Sequence, residues 1–279
     1  MPADTPASAT EAARRYYETG DVDGFYAVVW GGENIHTGIY THDHESIATA
    51  SRRTVERLAD KSATHLGPKR TVLDLGSGYG GAARYLAGRF GCQVVALNIS
   101  ETQNRRHHET NLECGLADLI TVTTGSFQDV PYPDSSFDLV WSQEALCHSG
   151  DRPQALAEAA RVLKPDGQLI FTDLMAADDA PAEALRPVAA RLGIGSFATP
   201  GFYHAQAARL GFNHVHFEDL SAHLLTHYLR LAEETARQAE ELTEAVSPAY
   251  LDKLHDNLPR WIEACRNGRL RWGIYSCHR

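Results

Sequence analysis

Asp74, Gly76, Gly78, Gly80 and Gly81 are the residues whose types and spacing most directly imply chemistry. They lie in residues 71–81, Thr-Val-Leu-Asp-Leu-Gly-Ser-Gly-Tyr-Gly-Gly. Val72-Leu73 with Leu75 reads as a buried parallel strand carrying an acid near its end. Ala82-Ala83-Arg84-Tyr85-Leu86 reads as the start of a helix. A strand, a glycine loop and a helix in this order let backbone approach a nucleotide-like ligand, because glycine has no Cβ in the way.

Gly76-x-Gly78-x-x-Gly81 also satisfies the dinucleotide fingerprint, which is weak by itself. Two features oppose a nicotinamide ligand. A carboxylate two residues before the first glycine would repel a pyrophosphate, yet it suits a ligand carrying an ammonium and a sulfonium. The next strand, Val94-Val95-Ala96-Leu97-Asn98, ends on Asn98 where a ribose-reading acid is expected. The Asp-x-Gly-x-Gly-x-Gly form resembles the first motif of the class I S-adenosylmethionine (SAM) methyltransferases. That resemblance implies SAM as cofactor and S-adenosylhomocysteine (SAH) as its product.

Composition narrows the class. At 279 residues the chain can bury a full core. A formal net charge of −10 argues against a nucleic-acid footprint. No run of about 18 apolar residues suggests a membrane span, and the first ten residues do not look like a signal peptide. The cysteines (92, 114, 147, 265 and 277) are odd in number and include no C-x-x-C pair, which points to a reduced, cytoplasmic protein without a zinc site. His42/His44 and His214/His216 are two apart and could share a strand face, and His107-His108 are adjacent; no metal is expected. Lysine occurs only at 61, 69, 164 and 253. An acidic, lysine-poor surface fits a salt-adapted host, or simply a GC-rich genome.

These residues need elements to hold them. Residues 10–66 read as helical, with a loop from Gly31-Gly32 through Tyr40. Helices are expected at 79–90, 101–114 and 151–163, the last capped by Asp151 with Pro153 just inside. Strands are expected at 93–98, 119–123, 137–141 and 168–173, the last entered through the turn Pro165-Asp166-Gly167. Helix at 180–211, broken near 193–200, strand 213–218, helix over 221–265 and strand 270–277 complete the chain. The alternation predicts an α/β fold, a Rossmann-like, mostly parallel sheet with helices on both faces. It divides into an N-terminal helical extension or lid, 1–66, and a catalytic domain, 67–279, with helical caps at about 175–205 and 221–265. Ligands in such sheets bind beyond the carboxyl ends of the strands, where Gly76, Asn98 and Ser142 fall.

Several segments together resemble a narrower branch, the sarcosine/dimethylglycine N-methyltransferases of glycine betaine synthesis. They include Phe25-Tyr26-x-x-Val29-Trp30-Gly31-Gly32-Glu33-x-Ile35-His36-x-Gly38-Ile39-Tyr40, Leu97-Asn98-Ile99 with Gln103-Asn104, Gly125-Ser126-Phe127, Trp141-Ser142-Gln143-Glu144-Ala145-x-x-His148-Ser149, Arg161-Val162-Leu163-Lys164-Pro165, and Trp261-Ile262-Glu263 with Gly268-x-Leu270-x-Trp272-Gly273. The match spans roughly 15–275; the Trp-Gly-Gly-Glu and Trp-Ser-Gln-Glu-Ala segments are its narrow parts. The phosphoethanolamine N-methyltransferases are near cousins.

The resemblance implies site roles. Gly76 and Gly78 pass the methionine part of SAM, Asp74 sits near its ammonium, and Asn98 holds the ribose hydroxyls, donating to one and accepting from the other. Ile99 packs on adenine, and Ser126 and Phe127 line its edge. Ser142 also belongs to the cofactor set. Ile35, His36 and Gly38 lie over the methionine end. Gln143 replaces an arginine of the phosphate-binding cousins, which favours an acceptor without phosphate. His148 matches a catalytic-latch histidine whose partner is an N-terminal tyrosine, best matched by Tyr17, with Tyr16 and Tyr26 nearby. Arg191 is assigned to the acceptor's carboxylate.

Methyl transfer to an amine is an in-line displacement that needs a free lone pair, so the acceptor ammonium must first lose a proton. A desolvated pocket helps, and His148 or a tyrosine is placed to accept it. Tyr26, Trp30 and Tyr203 are expected as aromatic walls for the methylated cation. Glu144 adds a carboxylate there, or serves a helix N-terminus instead. The partners expected are sarcosine and dimethylglycine, with no nucleic acid and no membrane. Alternatives are a methyltransferase for another small amine, lipid or natural product, or a SAM-binding protein without catalysis.

Overall fold

The computed structural model describes residues 20–30 and 33–279, with only the backbone of Arg191. Tyr17 therefore lies outside the described residues, as do Tyr16 and Gly31-Gly32.

Five parallel strands, β1 (Thr71–Leu75), β2 (Gln93–Asn98), β3 (Ile120–Thr124), β4 (Phe137–Gln143) and β5 (Leu163–Ala176), join β6 (His214–Asp219) and β7 (Leu270–His278) in one sheet. The strand order is β3-β2-β1-β4-β5-β7-β6, and β7 runs antiparallel to both its neighbours. Strands β1 and β4 are buried almost throughout, as expected for strands covered on both faces. The order reverses between β1 and β4, which opens a crevice at their carboxyl ends. Strand β5 starts earlier than the expected 168–173. Residues 164–167 bulge out of register between the Phe137–Leu163 and Leu139–Gln168 pairs, so the expected turn lies within the strand.

Helices α3 (Gly81–Phe90), α4 (Glu101–Glu113) and α5 (Arg152–Val162) connect the parallel strands. Helix α3 starts two residues later than expected because Gly80 takes the left-handed region, φ 83°, and closes the loop. Asp151 caps α5 by accepting from the Gln154 N–H at 3.0 Å. The Arg-Val-Leu-Lys-Pro segment serves structure. Arg161 binds Glu158 and Asp134, and Lys164 joins Arg70 on Asp138 at the amino ends of the strands, away from the crevice.

Beyond β5 lie α6 (Ala182–Arg191) and α7 (Pro200–Arg209), with the expected break between them. The long helical stretch after 221 resolves into α8 (Ser221–Arg237), α9 (Ala239–Ala245) and α10 (Pro248–Arg266). Ser247 caps the third by accepting from the Tyr250 N–H, with Pro248 at its first turn. At the N-terminal end α1 (Gly20–Phe25) runs into a π-helical turn, Tyr26–Trp30, and α2 (Ile47–Lys61) follows a loop longer than expected, extending to its cap Ser46. Val22, Phe25, Trp30 and Ile47 share one apolar cluster with Leu224, Leu231, Trp261 and Trp272, so the N-terminal segment packs on the C-terminal helices.

Candidate active site

The glycine loop leaves β1 with the Gly76 and Ser77 N–H groups both donating to the Leu97 carbonyl of β2. Gly76, Gly78 and Gly80 all have positive φ, 77°, 52° and 83°. Their side-chain directions differ. A Cβ on Gly76 would collide with Ala145, one on Gly80 with His107 and one on Gly81 with Asn34. A Cβ on Gly78 would meet only Ile35 Cδ1, at 3.9 Å. Three of the four glycines therefore admit protein neighbours, and Gly78 alone faces open space at the crevice.

That crevice is a pocket lined by twelve of the residues assigned from sequence. Asn98, Ile99, Ser126 and Phe127 form one end; Ile35, His36, Gln143, Glu144 and His148 form the other; Asp74, Gly76 and Gly78 lie between. Asp74 is buried, and its Oδ2 has no hydrogen-bond partner among the described residues. Burial pushes its carboxyl up to about 7. The Ser77 hydroxyl, Gln103 Nε2, Gln143 Nε2 and His36 Nε2 are further buried atoms of pocket-lining residues without a partner among the described residues. Buried polar atoms are normally satisfied, so such a concentration marks where a polar ligand belongs. A ligand with an ammonium, ribose hydroxyls and a flat base fits this donor and acceptor set, as SAM requires.

Gln103 was not assigned from sequence. It accepts from Asn98 Nδ2 at 3.0 Å, which leaves its own amide N–H facing the pocket. Ser100-x-x-Gln103 has capping-box spacing, and Ser100 does cap α4, but the glutamine side chain turns to Asn98 instead. Glu33 and Asn34 also line the pocket.

Ser142 does not line the pocket: its hydroxyl donates to the Leu75 carbonyl at 2.9 Å, clipping β4 to β1. Tyr203 is not a wall. It is fully buried behind the His148 turn and donates to Asp173 Oδ2 at 2.5 Å, while Asp173 Oδ1 accepts from the Cys147 N–H. Trp30 lies behind the 33–40 loop, its indole N–H donating to the His36 carbonyl and its ring 5.2 Å from His227. Tyr26 packs on Trp30 and borders a separate polar recess with Asp23, Arg84 and Arg106. These four are large or polar groups satisfied by neighbours brought in from distant chain segments. Tyr17 and the Arg191 side chain lie outside the described residues.

The 33–40 loop covers the pocket end opposite Asn98. Glu144, at φ 52°, reaches it through Thr37, whose N–H and hydroxyl both donate to the carboxylate. The Trp272 indole adds a third bond at 2.9 Å, and burial pushes Glu144 up to about 7. His223 and His227, four apart on α8, do have H-x-x-x-H spacing, which the histidine pairs singled out from sequence lack. Their Nδ1 atoms accept from the Tyr40 and Gly38 N–H groups, respectively, and fasten the loop to the C-terminal helices. Among the described residues, no group of three or more His, Cys, Asp or Glu could hold a metal ion, and no helix is long and apolar enough to cross a membrane. Burial drives the imidazoles of His36 and His148 down to about 4 each, so both are neutral near pH 7.

Residues 73–171 match the family described as "Methyltransferase domain". A sarcosine/dimethylglycine N-methyltransferase from Halorhodospira halochloris is 48% identical over 267 residues, covering 96% of this chain and 95% of the relative. A glycine/sarcosine/dimethylglycine N-methyltransferase from Actinopolyspora halophila is 46% identical over 97% of this chain and 48% of its own length. A solved structure from Galdieria sulphuraria, assigned as a sarcosine dimethylglycine methyltransferase, superposes with a TM-score of 0.88 at 38% identity, covering 94% of this chain and 98% of that one. The chain belongs to the sarcosine/dimethylglycine N-methyltransferase family of class I SAM-dependent methyltransferases.

Proposed function

We propose that this protein methylates the nitrogen of sarcosine and dimethylglycine, giving dimethylglycine and glycine betaine, in a reducing cytoplasm where its five free cysteines persist. The observation that carries the reading is Asp74: a buried carboxylate oxygen without a partner among the described residues, at the glycine loop of a chain similar along 96% of its length to an enzyme of this name. SAM supplies a methyl group already activated on a sulfonium.

The chain's own residues bind and orient. Asp74 holds the ligand ammonium, Gly78 leaves room for its approach, and Asn98 with Gln103 presents donors and acceptors to the ribose. Ile99, Ser126 and Phe127 flank the base. At the other end Gln143 and His148 face the acceptor, with Tyr17 and Arg191 retained as proposed partners for its amine and carboxylate. The acceptor reaches a pocket roofed by Ile35 and floored by Ala145, where desolvation favours the neutral amine. A histidine held near 4 has little affinity for a proton, so His148 orients the amine and relays its proton outward rather than storing it.

Turnover assays with SAM and glycine, sarcosine, dimethylglycine or phosphoethanolamine, with products identified by mass spectrometry, test this. Sarcosine and dimethylglycine should lead. Faster methylation of phosphoethanolamine overturns the acceptor assignment.

A further inference from the structure

His36 is buried and lines the pocket, and the backbone on both sides of its side chain is fixed. Its backbone carbonyl accepts from Ser51 Oγ at 2.7 Å and from the Trp30 indole. The next residue, Thr37, is held by Glu144, which follows Gln143 at the end of β4. The imidazole Nδ1 lies 3.2 Å from the Thr37 carbonyl. A carbonyl can only accept, so Nδ1 carries the hydrogen and Nε2 carries the lone pair. Nε2 has no hydrogen-bond partner among the described residues. The ring is thus a neutral imidazole whose Nε2 is a buried, unpartnered acceptor, on a residue that lines the pocket.

Two N–H-bearing groups compete for such an acceptor, the cofactor's ammonium and the substrate's amine. Asp74 already offers the first a carboxylate oxygen. Neutral sarcosine keeps one hydrogen on nitrogen, whereas neutral dimethylglycine keeps none. We propose that His36 is the specificity-determining residue between the two acceptors, its Nε2 taking the N–H of neutral sarcosine and so aiming the lone pair at the methyl donor. The inference rests on the N-methyltransferase reading above.

The step balances. The nitrogen lone pair forms the N–CH3 bond as the S–CH3 bond breaks, and that bond's electrons stay on sulfur. The amine hydrogen donated to Nε2 stays on the acceptor nitrogen, so the product leaves as protonated dimethylglycine. Its proton must go to water before a second round. In that round the acceptor nitrogen has a methyl where the hydrogen was, and Nε2 gains nothing from it. A buried acceptor facing a methyl group is a penalty, so His36 favours the first methylation over the second.

His36→Gln, which keeps an acceptor near the ε position, and His36→Leu, which removes it, test the proposal. In both variants Thr37 O still accepts from Thr54 Oγ1, so the loop keeps a satisfied carbonyl. kcat/KM is measured for each amine, SAH affinity by calorimetry and the urea midpoint for folding. His36→Leu should lower kcat/KM for sarcosine about tenfold, leave dimethylglycine unchanged or improved, and leave SAH affinity unchanged. His36→Gln should recover most of the sarcosine activity. An equal fall for both amines, or failure of Gln to rescue, overturns the proposal in favour of a general structural or base role. A loss of SAH affinity overturns it in favour of a cofactor contact. If the unmutated protein methylates neither amine, the acceptor reading itself is wrong and this inference falls with it.

Discussion

Thr37 donates both its backbone N–H and its hydroxyl to the carboxylate of Glu144, at 2.8 and 3.1 Å, across 107 positions of sequence. The acid at the end of the central strand is thereby the fastening of the loop that roofs the pocket. Glu144→Ala leaves two buried donors, Thr37 N–H and the Trp272 indole, without an acceptor. The expected loss is on the order of 2–4 kcal/mol of stability, with weaker SAM binding as the loop loosens. Glu144→Gln keeps the oxygen that serves Thr37 N–H and Trp272, and its amide can donate to the Thr37 hydroxyl, so it should stay near parental in both. Urea unfolding and calorimetry read this out. A Gln variant as damaged as Ala would mean that the charge itself matters, as for a carboxylate touching the amine.

Asp74 predicts a pH dependence of cofactor binding. Its carboxyl is pushed up by burial from 3.8 to about 7 in the free protein. An ammonium beside it favours the ionised form, so binding lowers this pKa and releases a proton near pH 7. Affinity should fall as pH drops below about 7 and level off above it. Calorimetry of SAH in buffers of different ionisation enthalpy measures the released proton. Asp74→Asn should bind weakly and without that proton release; parental proton release in this variant would remove Asp74 from the cofactor site.

Gly76 and Gly78 should respond differently to alanine. At Gly76 the new Cβ would collide with Ala145, and φ is 77°, so Gly76→Ala should unfold or strongly destabilise the protein. Gly78→Ala meets only Ile35 Cδ1 at 3.9 Å and a φ of 52°, which costs roughly 1–2 kcal/mol. That variant should fold and lose SAM affinity, because its methyl group stands in the pocket. Thermal melting with and without SAH separates the two; an undiminished SAH-induced shift for Gly78→Ala would show that the ligand does not pass there.

Tyr203 and Ser142 should behave as structural residues. Tyr203→Phe deprives the buried Asp173 of a donor at 2.5 Å, and Ser142→Ala removes the clip to Leu75. Losses of about 1–3 and about 1 kcal/mol are expected, with KM for the amines and SAM little changed. A large rise in the KM for dimethylglycine in Tyr203→Leu, with none in Tyr203→Phe, would restore the aromatic-wall reading.

Residues 71–176 were legible because their signals are local. A buried parallel strand reads as a short apolar run, a helix as a 3.6-residue period, and Asp151 or the glycines act within a few positions. The place of the pocket followed, since Asp74 and Asn98 stand at strand ends, and Gly78 in the loop after β1, where the alternation itself fixes them. The acceptor end was less legible. The sequence shows aromatic residues at 26, 30 and 203 but not which neighbours claim them, and the fold buries Trp30 and Tyr203 among partners.

The sequence by itself determined the class of fold, the glycine loop with its acid and the family. Only the tertiary structure decided that Glu144 holds Thr37, that Gln103 joins Asn98, that His223 and His227 fasten the loop, and that His36, lining the pocket, has no partner for its Nε2 among the described residues. The physical reason is range. Backbone periodicity is set by neighbours a few residues away, whereas the partner of a buried polar atom is whichever group the packed elements bring within about 3 Å, often from more than 100 positions along the chain, as in Thr37 with Glu144.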